Sequence, residues 1–402
     1  MASHTSSRSA LLLLPPPPSF SFGGVKEAFE TSVSDVFAQL SKSLGPSDGV
    51  ATLDIALAIP GLLSPSNRPR TKTFAQVEHY VGSIYTLIGA VAAAQDIELD
   101  SPGGIDARLV FVDHPLSNSA ASQAKIGSKI GPILDLQSLA TSGRQWDHIF
   151  FPSNQAGRDL ADSFLSSITG PSKSHTASIL QMVPSGEWSA PQSLLVPEDQ
   201  PSLEPHYSVA VGGTFDHLHL GHKRLLTALA LALEPLDDTN QDRERLLTIG
   251  VTGDALLVNK KFAECLESWE ERFKSTAAFL AGIMDFSGNG SPRVERTRTA
   301  DGKGQVVVMQ FQPNLIYKFV EFFDVCGPTV TDENISALVV SKETSAGGAF
   351  VNEERAKKGW SRLSIFEVDV LVSGEAKASA NNFEDKISST DIRRRRMNRA
   401  KV

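Results

Sequence analysis

Val209-Ala-Val-Gly-Gly-Thr-Phe-Asp-His-Leu-His-Leu-Gly-His222 decides the fold of the second half of this chain. Residues 207–211 are apolar and β-branched enough for a buried strand, and residues 222–233 repeat apolar side chains at helical spacing. The stretch therefore reads as strand, tight turn and helix. Gly212 and Gly213 let the backbone turn sharply and approach a ligand closely. The start of the following helix offers free N–H groups and a positive dipole end, which suit a phosphate. In open α/β sheets, ligands sit outside the carboxyl ends of strands, where this turn lies. His219 and His222 are three apart and share one face of the first helical turn. Two such histidines could hold a metal, but the spacing supplies no third ligand.

Outward from this turn the pattern stays periodic. Strands are expected at 246–251, 306–311, 337–340 and 363–372, and helices at 268–284, 349–358 and 389–399. Glu270, Glu271 and Arg272 read as the polar side of the 268–284 helix, and 287–304 as a polar, Gly-rich loop. Alternating βα units imply a parallel sheet covered by helices on both faces, a Rossmann-like α/β domain over residues 207–402.

Three further stretches end at strand or helix termini. Residues 249–261 bring Lys260 and Lys261 just past a strand, where a lysine can neutralise a phosphate as a point charge. Residues 386–393, Lys-Ile-Ser-Ser-Thr-Asp-Ile-Arg, place the hydroxyls of Ser388, Ser389 and Thr390 at a helix N-terminus with Arg393 in its first turn. Residues 339–348, Val-Val-Ser-Lys-Glu-Thr-Ser-Ala-Gly-Gly, followed by Asn352 and Arg355, form another polar loop after a strand.

Together, in this order, the four stretches resemble the nucleotidylyltransferase superfamily and, within it, the phosphopantetheine adenylyltransferases of archaea and eukaryotes, with a fungal-like architecture. The resemblance covers about residues 207–399. It implies attack of a phosphate on the α-phosphorus of a nucleoside triphosphate, with release of pyrophosphate. His222, His219 and Lys260 would be the catalytic set, with Lys261 as the fallback lysine. Gly213, His219, His222, Ser388, Ser389, Thr390 and Arg393 would hold ATP. Thr214, Phe215, Lys260, Thr344 and Arg355 would hold the acceptor. The Ile-Ser-Ser-Thr form favours ATP over CTP, and the 339–348 loop favours 4′-phosphopantetheine, although Lys342 stands where many relatives carry Glu. The expected products are dephospho-coenzyme A and pyrophosphate, with Mg2+ carried on the triphosphate and no dedicated protein metal site. The alternatives are a nicotinamide-mononucleotide adenylyltransferase, a cytidylyltransferase, or an inactive scaffold for coenzyme A enzymes. No Gly-x-x-x-x-Gly-Lys-(Ser/Thr) run is present, so the kinase domain of some relatives is not expected.

The 402 residues suffice for two or three domains, and 41% hydrophobic with 21% charged residues is ordinary for a globular chain. A net charge of −8 argues against a nucleic-acid partner, which needs a basic face. Cys265 and Cys326 lie far apart and fit a reducing compartment. Leu11–Leu14 is too short to cross a bilayer, and Pro15–Pro18 interrupts it, so residues 1–21 read as a disordered low-complexity start. A cytoplasmic protein with no membrane partner is expected, the Arg393–Arg396 run leaving a nuclear pool open. Residues 22–182 read as a smaller α/β domain, with a helix at 73–95 and strands at 54–59, 107–112 and 148–151. It carries no chemical motif: Asp113, His114 and His148 read as structural. Its expected role is interaction or regulation, for example docking other coenzyme A enzymes. Residues 183–206, with Pro184, Pro191, Pro197, Pro201 and Pro205, read as an extended, exposed linker.

Overall fold

The computed structural model describes residues 8–45, 49–99, 103–115, 129–169, 171–189, 191, 194–196, 203–237, 239–288, 290–311, 314–369 and 388–399. Residues up to Val183 build one sheet from β1 (Ser9–Leu14), β2 (Ala51–Ala58), β3 (Ile105–Asp113), β4 (Ile133–Asp135), β5 (His148–Pro152) and β6 (Leu180–Val183). The strand order is β4-β3-β2-β1-β5-β6, and every pairing is parallel. Helices α1 (Phe22–Lys42), α2 (Phe74–Ala94), α3 (Leu136–Ala140), α4 (Gln155–Ser166) and α5 (Pro171–Ile179) make the connections.

Residues 9–14 correct the expectation of a disordered start. Leu11–Leu14 are wholly buried in β1, which lies between β2 and β5. A parallel strand covered on both faces needs apolar side chains on both, so it reads as an unbroken apolar run. The four prolines that follow end the strand. Residues 22–42 form α1, which the sequence reading leaves unassigned. Ser21 caps it by accepting from the Gly24 N–H, and Val25, Phe29, Val33, Val36 and Leu40 line its buried face.

The second sheet contains β7 (Ser208–Gly213), β8 (Arg245–Thr252), β9 (Arg293–Arg298), β10 (Gln305–Phe311), β11 (Leu315–Phe322), β12 (Ala337–Ser341) and β13 (Ser364–Val368). Its order is β13-β12-β7-β8-β11-β10-β9. The first five strands are parallel, and β10 and β9 add antiparallel to β11. The fully parallel sheet expected from sequence thus ends in an antiparallel edge. The loop expected at 287–304 contains β9, whose six side chains are all exposed and leave no apolar period to read. Helices α6 (Leu220–Ala232), α7 (Trp269–Met284), α8 (Ser345–Lys357) and α9 (Ser389–Arg399) complete this half. Ser268 and Glu271 form a capping box that starts α7.

Among the described residues after β6, several are packed rather than loosely extended as the prolines suggest. Leu194 and Leu195 are buried, the Val196 N–H donates to Gln76 Oε1, and Trp188 Nε1 donates to the Pro16 carbonyl. Helix α2 packs on α1 at one side and on α6 at the other. It is therefore buried around most of its girth rather than amphipathic. One apolar core runs without interruption from β1 through α2 and α6 into β7, β8 and β11. Among the described residues no helix is long and apolar enough to cross a membrane.

Candidate functional site

The turn after β7 is held in a strained form. Phe215 and His217 both have left-handed backbone, with φ of 53° and 47°. Non-glycine residues there cost about 1–3 kcal/mol each, so the surroundings must hold them in place. Gly213 makes room for the fold: a Cβ at this position would meet the Phe215 ring at 2.9 Å. His219 then occupies the N-cap position of α6.

The rings of His219 and His222 stack with centroids 3.8 Å apart and planes 23° from parallel. The sequence placed them on one face of the first turn, and they share it. The Nδ1 atoms of both are buried without a hydrogen-bond partner among the described residues. Burial lowers His222 to about 4. Burial also lowers His219, helped by the charges of His222, His217 and Lys223. Both rings are therefore neutral at pH 7. Two neutral imidazoles with unpaired nitrogens, at a helix N-terminus, can offer N–H groups to an anion without carrying a fixed charge beforehand.

The clamps around this turn were not read from sequence. Arg272, placed on the polar side of its helix by the sequence reading, is completely buried. Its guanidinium donates to the carbonyls of Thr214 (2.6 Å), Thr252 (2.8 Å) and Glu267 (3.0 Å), and to Asp254 Oδ1 (2.6 Å). It thus ties the strained turn to the end of β8. Glu267 Oε2 accepts from the His217 N–H at 2.8 Å, and Asp216 Oδ1 accepts from the Glu267 N–H at 2.9 Å. His217 Nε2 lies 2.8 Å from the Cys265 carbonyl, and Nδ1 lies 3.2 Å from Glu267 Oε1. Burial alone would lower His217, but its bond to Glu267 and the charges of Glu267 and Asp216 raise it above the ordinary value. A trace of this was legible: Ser268-x-x-Glu271 fixes where α7 begins, so Glu267 must lie in the loop just before it.

The last helix joins the same turn. Ser389 Oγ donates to the Asp216 carbonyl at 2.7 Å, and Arg393 pairs with the buried Asp216 carboxylate. Arg393 Nε also donates to the Lys261 carbonyl at 3.0 Å, and Nη2 lies 3.3 Å from Thr390 Oγ1. The structure therefore brings Gly213, Thr214, Phe215, His219, His222, Ser389, Thr390 and Arg393 together at the carboxyl end of the central strand β7. Arg393, expected to reach a phosphate, is almost wholly buried and committed to these protein partners. Lys260 and Lys261 are exposed on the neighbouring loop, and Ser388 is half-buried at the start of α9.

The 339–348 loop divides differently from its reading. Thr344 is exposed, its hydroxyl 3.0 Å from Ser341 Oγ. Lys342 pairs with Asp369 at 3.1 Å on the surface. Arg355, expected to hold substrate, has no exposed face. It donates to the carbonyls of Ser361, Thr329, Asp332, Glu333 and Ile335, which join α8 to the loop before β12. Its five donors suit a cluster of carbonyls as well as they suit a phosphate, and the sequence cannot separate the two uses.

Asp216, His217 and Glu267 are spaced closely enough to hold a metal ion. Their atoms are already engaged by Arg393, the Glu267 and His217 N–H groups and the Cys265 carbonyl, so this trio is a poor cradle for a magnesium ion.

Two family models match the chain. Residues 210–395 fit the cytidylyltransferase-like family, and residues 1–188 fit a domain of unknown function. A phosphopantetheine adenylyltransferase of Saccharomyces cerevisiae is 34% identical over 185 residues, 46% of this chain and 47% of that protein. An uncharacterized protein of Schizosaccharomyces pombe is 34% identical over 184 residues, 46% of each chain. The chain thus spans about half the length of these two relatives. The phosphopantetheine adenylyltransferase of Thermococcus kodakarensis is 31% identical over 185 residues, 46% of this chain and 83% of that protein.

Proposed function

The chain belongs to the phosphopantetheine adenylyltransferase family, and from this membership we propose that it transfers AMP from ATP to 4′-phosphopantetheine. The observation that carries the reading is the stacked, neutral pair His219–His222 at the N-terminus of α6, beside the turn clamped by α7 and α9.

In this reading the triphosphate lies across the start of α6, and magnesium arrives with it as part of the substrate. A phosphate oxygen of the acceptor attacks the α-phosphorus. The bond from that phosphorus to the bridging oxygen of the β-phosphate breaks, and pyrophosphate leaves. His222 donates a hydrogen bond to an α-phosphate oxygen as negative charge builds there, and His219 contacts the adjoining phosphates. Lys260, with Lys261 beside it, is free to swing toward both substrates. Thr214 and the Phe215 backbone hold the acceptor phosphate, and Ser388, Ser389 and Thr390 meet the triphosphate from α9. Arg393 acts through Asp216, fixing the turn rather than the phosphate. Positioning and electrostatic stabilisation suffice, and no covalent intermediate is needed.

The test is pyrophosphate release from the full chain with ATP and magnesium, offering phosphopantetheine, nicotinamide mononucleotide or no acceptor, and CTP with phosphocholine in parallel. Release that requires phosphopantetheine and falls on the order of a hundredfold or more in His222→Ala supports the reading. Release with another acceptor overturns the substrate. No release from folded protein that still binds ATP overturns the activity.

A further inference from the structure

The helix that carries the two histidines is gripped from behind by the other half of the chain. Lys223, the residue after His222, is buried, and its Nζ lies 2.5 Å from Asp106 Oδ1 on β3. Arg108, also on β3, donates to the other oxygen of that carboxylate at 2.7 and 2.9 Å. The next residue, Arg224, donates from Nε to Glu78 Oε1 on α2 at 2.7 Å, with both side chains close to fully buried. Tyr85 of α2 then places its hydroxyl 3.3 Å from Thr227 Oγ1.

The backbones are shaped for these contacts from both sides. A Cβ on Gly82 of α2 would lie 2.6 Å from the Arg224 guanidinium, and one on Gly282 of α7 would lie 2.5 Å from that of Arg108. Gly131 has no room for a side chain against the Ile283 carbonyl, and its N–H donates to the Met284 carbonyl at 2.8 Å. Buried ion pairs of this kind are weak as net stabilisers but strict about geometry, because breaking one strands a buried charge. Lys223 and Arg224 sit on the side of α6 that contacts no acceptor or nucleotide in the reading above. Their anchoring fixes where the helix N-terminus points.

We propose that the N-terminal domain is a positioning element of the catalytic site: Asp106 acting through Lys223, and Glu78 acting through Arg224, set the placement of His219 and His222. The role expected from sequence was docking or regulation. The seam adds one that operates in every turnover and needs no partner. It rests on the proposed adenylyl transfer for its kinetic consequence, but not for its structural one. A displacement of about 1 Å at reacting groups can cost up to about a hundredfold in rate.

The experiment uses the full chain and three variants: Asp106→Asn, Glu78→Gln, and Arg68→Gln as a control. Arg68 pairs with Asp237 at 2.9 Å across the same seam, but on the surface and beyond the far end of α6. Two readouts are taken well below the melting temperature: kcat and KM for ATP, and the imidazole NMR signals of His219 and His222. Asp106→Asn and Glu78→Gln should each lower kcat about tenfold or more with KM for ATP changed less than about twofold. Both should shift the two imidazole signals, and Arg68→Gln should change neither readout. Wild-type kcat and unmoved signals in the two folded variants would overturn the proposal. If Asp106→Asn does not fold, Glu78→Gln decides by the same criteria. If wild-type protein transfers no adenylyl group, the proposed function fails while the imidazole signals still decide this inference.

Discussion

Replacing Arg272 with lysine tests whether the turn carrying Thr214 to His217 is held from α7. The arginine is completely buried and donates four hydrogen bonds, three of them to the carbonyls of Thr214, Thr252 and Glu267. The fourth goes to Asp254, which is 55% exposed and so adds little. A lysine keeps the charge but brings one nitrogen at one place, so it can satisfy one or two of the three carbonyls. Each bond from a charged donor contributes about 1.5–3 kcal/mol, and a stranded buried acceptor costs about 1–3 kcal/mol. Loss of one or two bonds gives a destabilisation of about 2–5 kcal/mol, a large part of the ordinary stability margin of 5–15 kcal/mol. Urea unfolding of wild type and Arg272→Lys, followed by tryptophan fluorescence, measures this directly, since Trp269 lies one turn away in α7. Pyrophosphate release from the folded variant should also fall, because Phe215 and His217 lose the hold on their left-handed backbone. A stability loss below about 1 kcal/mol, together with wild-type release, would refute the clamp.

Acid should weaken the folded chain through the site histidines. Burial holds His222 at about 4 and lowers His219 as well, so as pH falls below the ordinary histidine value the unfolded chain takes up protons that these rings refuse. Stability therefore drops as pH falls from about 6.5 toward 4. His222→Asn should flatten that part of a pH series of melting temperatures, while the raised His217 acts in the opposite sense and mainly above about 6.5, where its stabilisation is lost as pH rises. Arg355→Lys should lower stability by about 2–5 kcal/mol in urea, by the same stranding of carbonyls, and leave KM for both substrates within about twofold. A raised KM at unchanged stability would restore Arg355 as a substrate contact. Ser389→Ala removes the 2.7 Å bond to the Asp216 carbonyl and should cost about 1 kcal/mol in the same unfolding assay. It should also raise KM for ATP in the release assay, if the start of α9 meets the triphosphate.

Much of the second half was legible because its signals are local. Strand, turn and helix around Gly212 and Gly213 follow from side-chain periodicity and backbone freedom. The facing of His219 and His222 follows from helical spacing, and α9 was placed at residues 389–399 by its Ser-Ser-Thr start. The family resemblance needed only the order of four such stretches. What residues 9–14 do was not local. An apolar run of that length suits a disordered tail beside prolines, a truncated signal or a central strand, and only pairing with β2 and β5 selects the strand. The same limit applies to the arginines. Arg272, Arg355 and Arg393 each look, in sequence, like polar surface or phosphate contacts. Tertiary structure buries all three against carbonyls or a carboxylate that lie mostly outside their own helices. The joining of the two halves was invisible for the same reason. Lys223 and Asp106 are 117 residues apart, and no periodicity in either neighbourhood registers the other. Sequence fixes which groups a short segment can offer. Which of them face substrate, and which are spent on holding the rest in place, depends on contacts that exist only after the two sheets have packed.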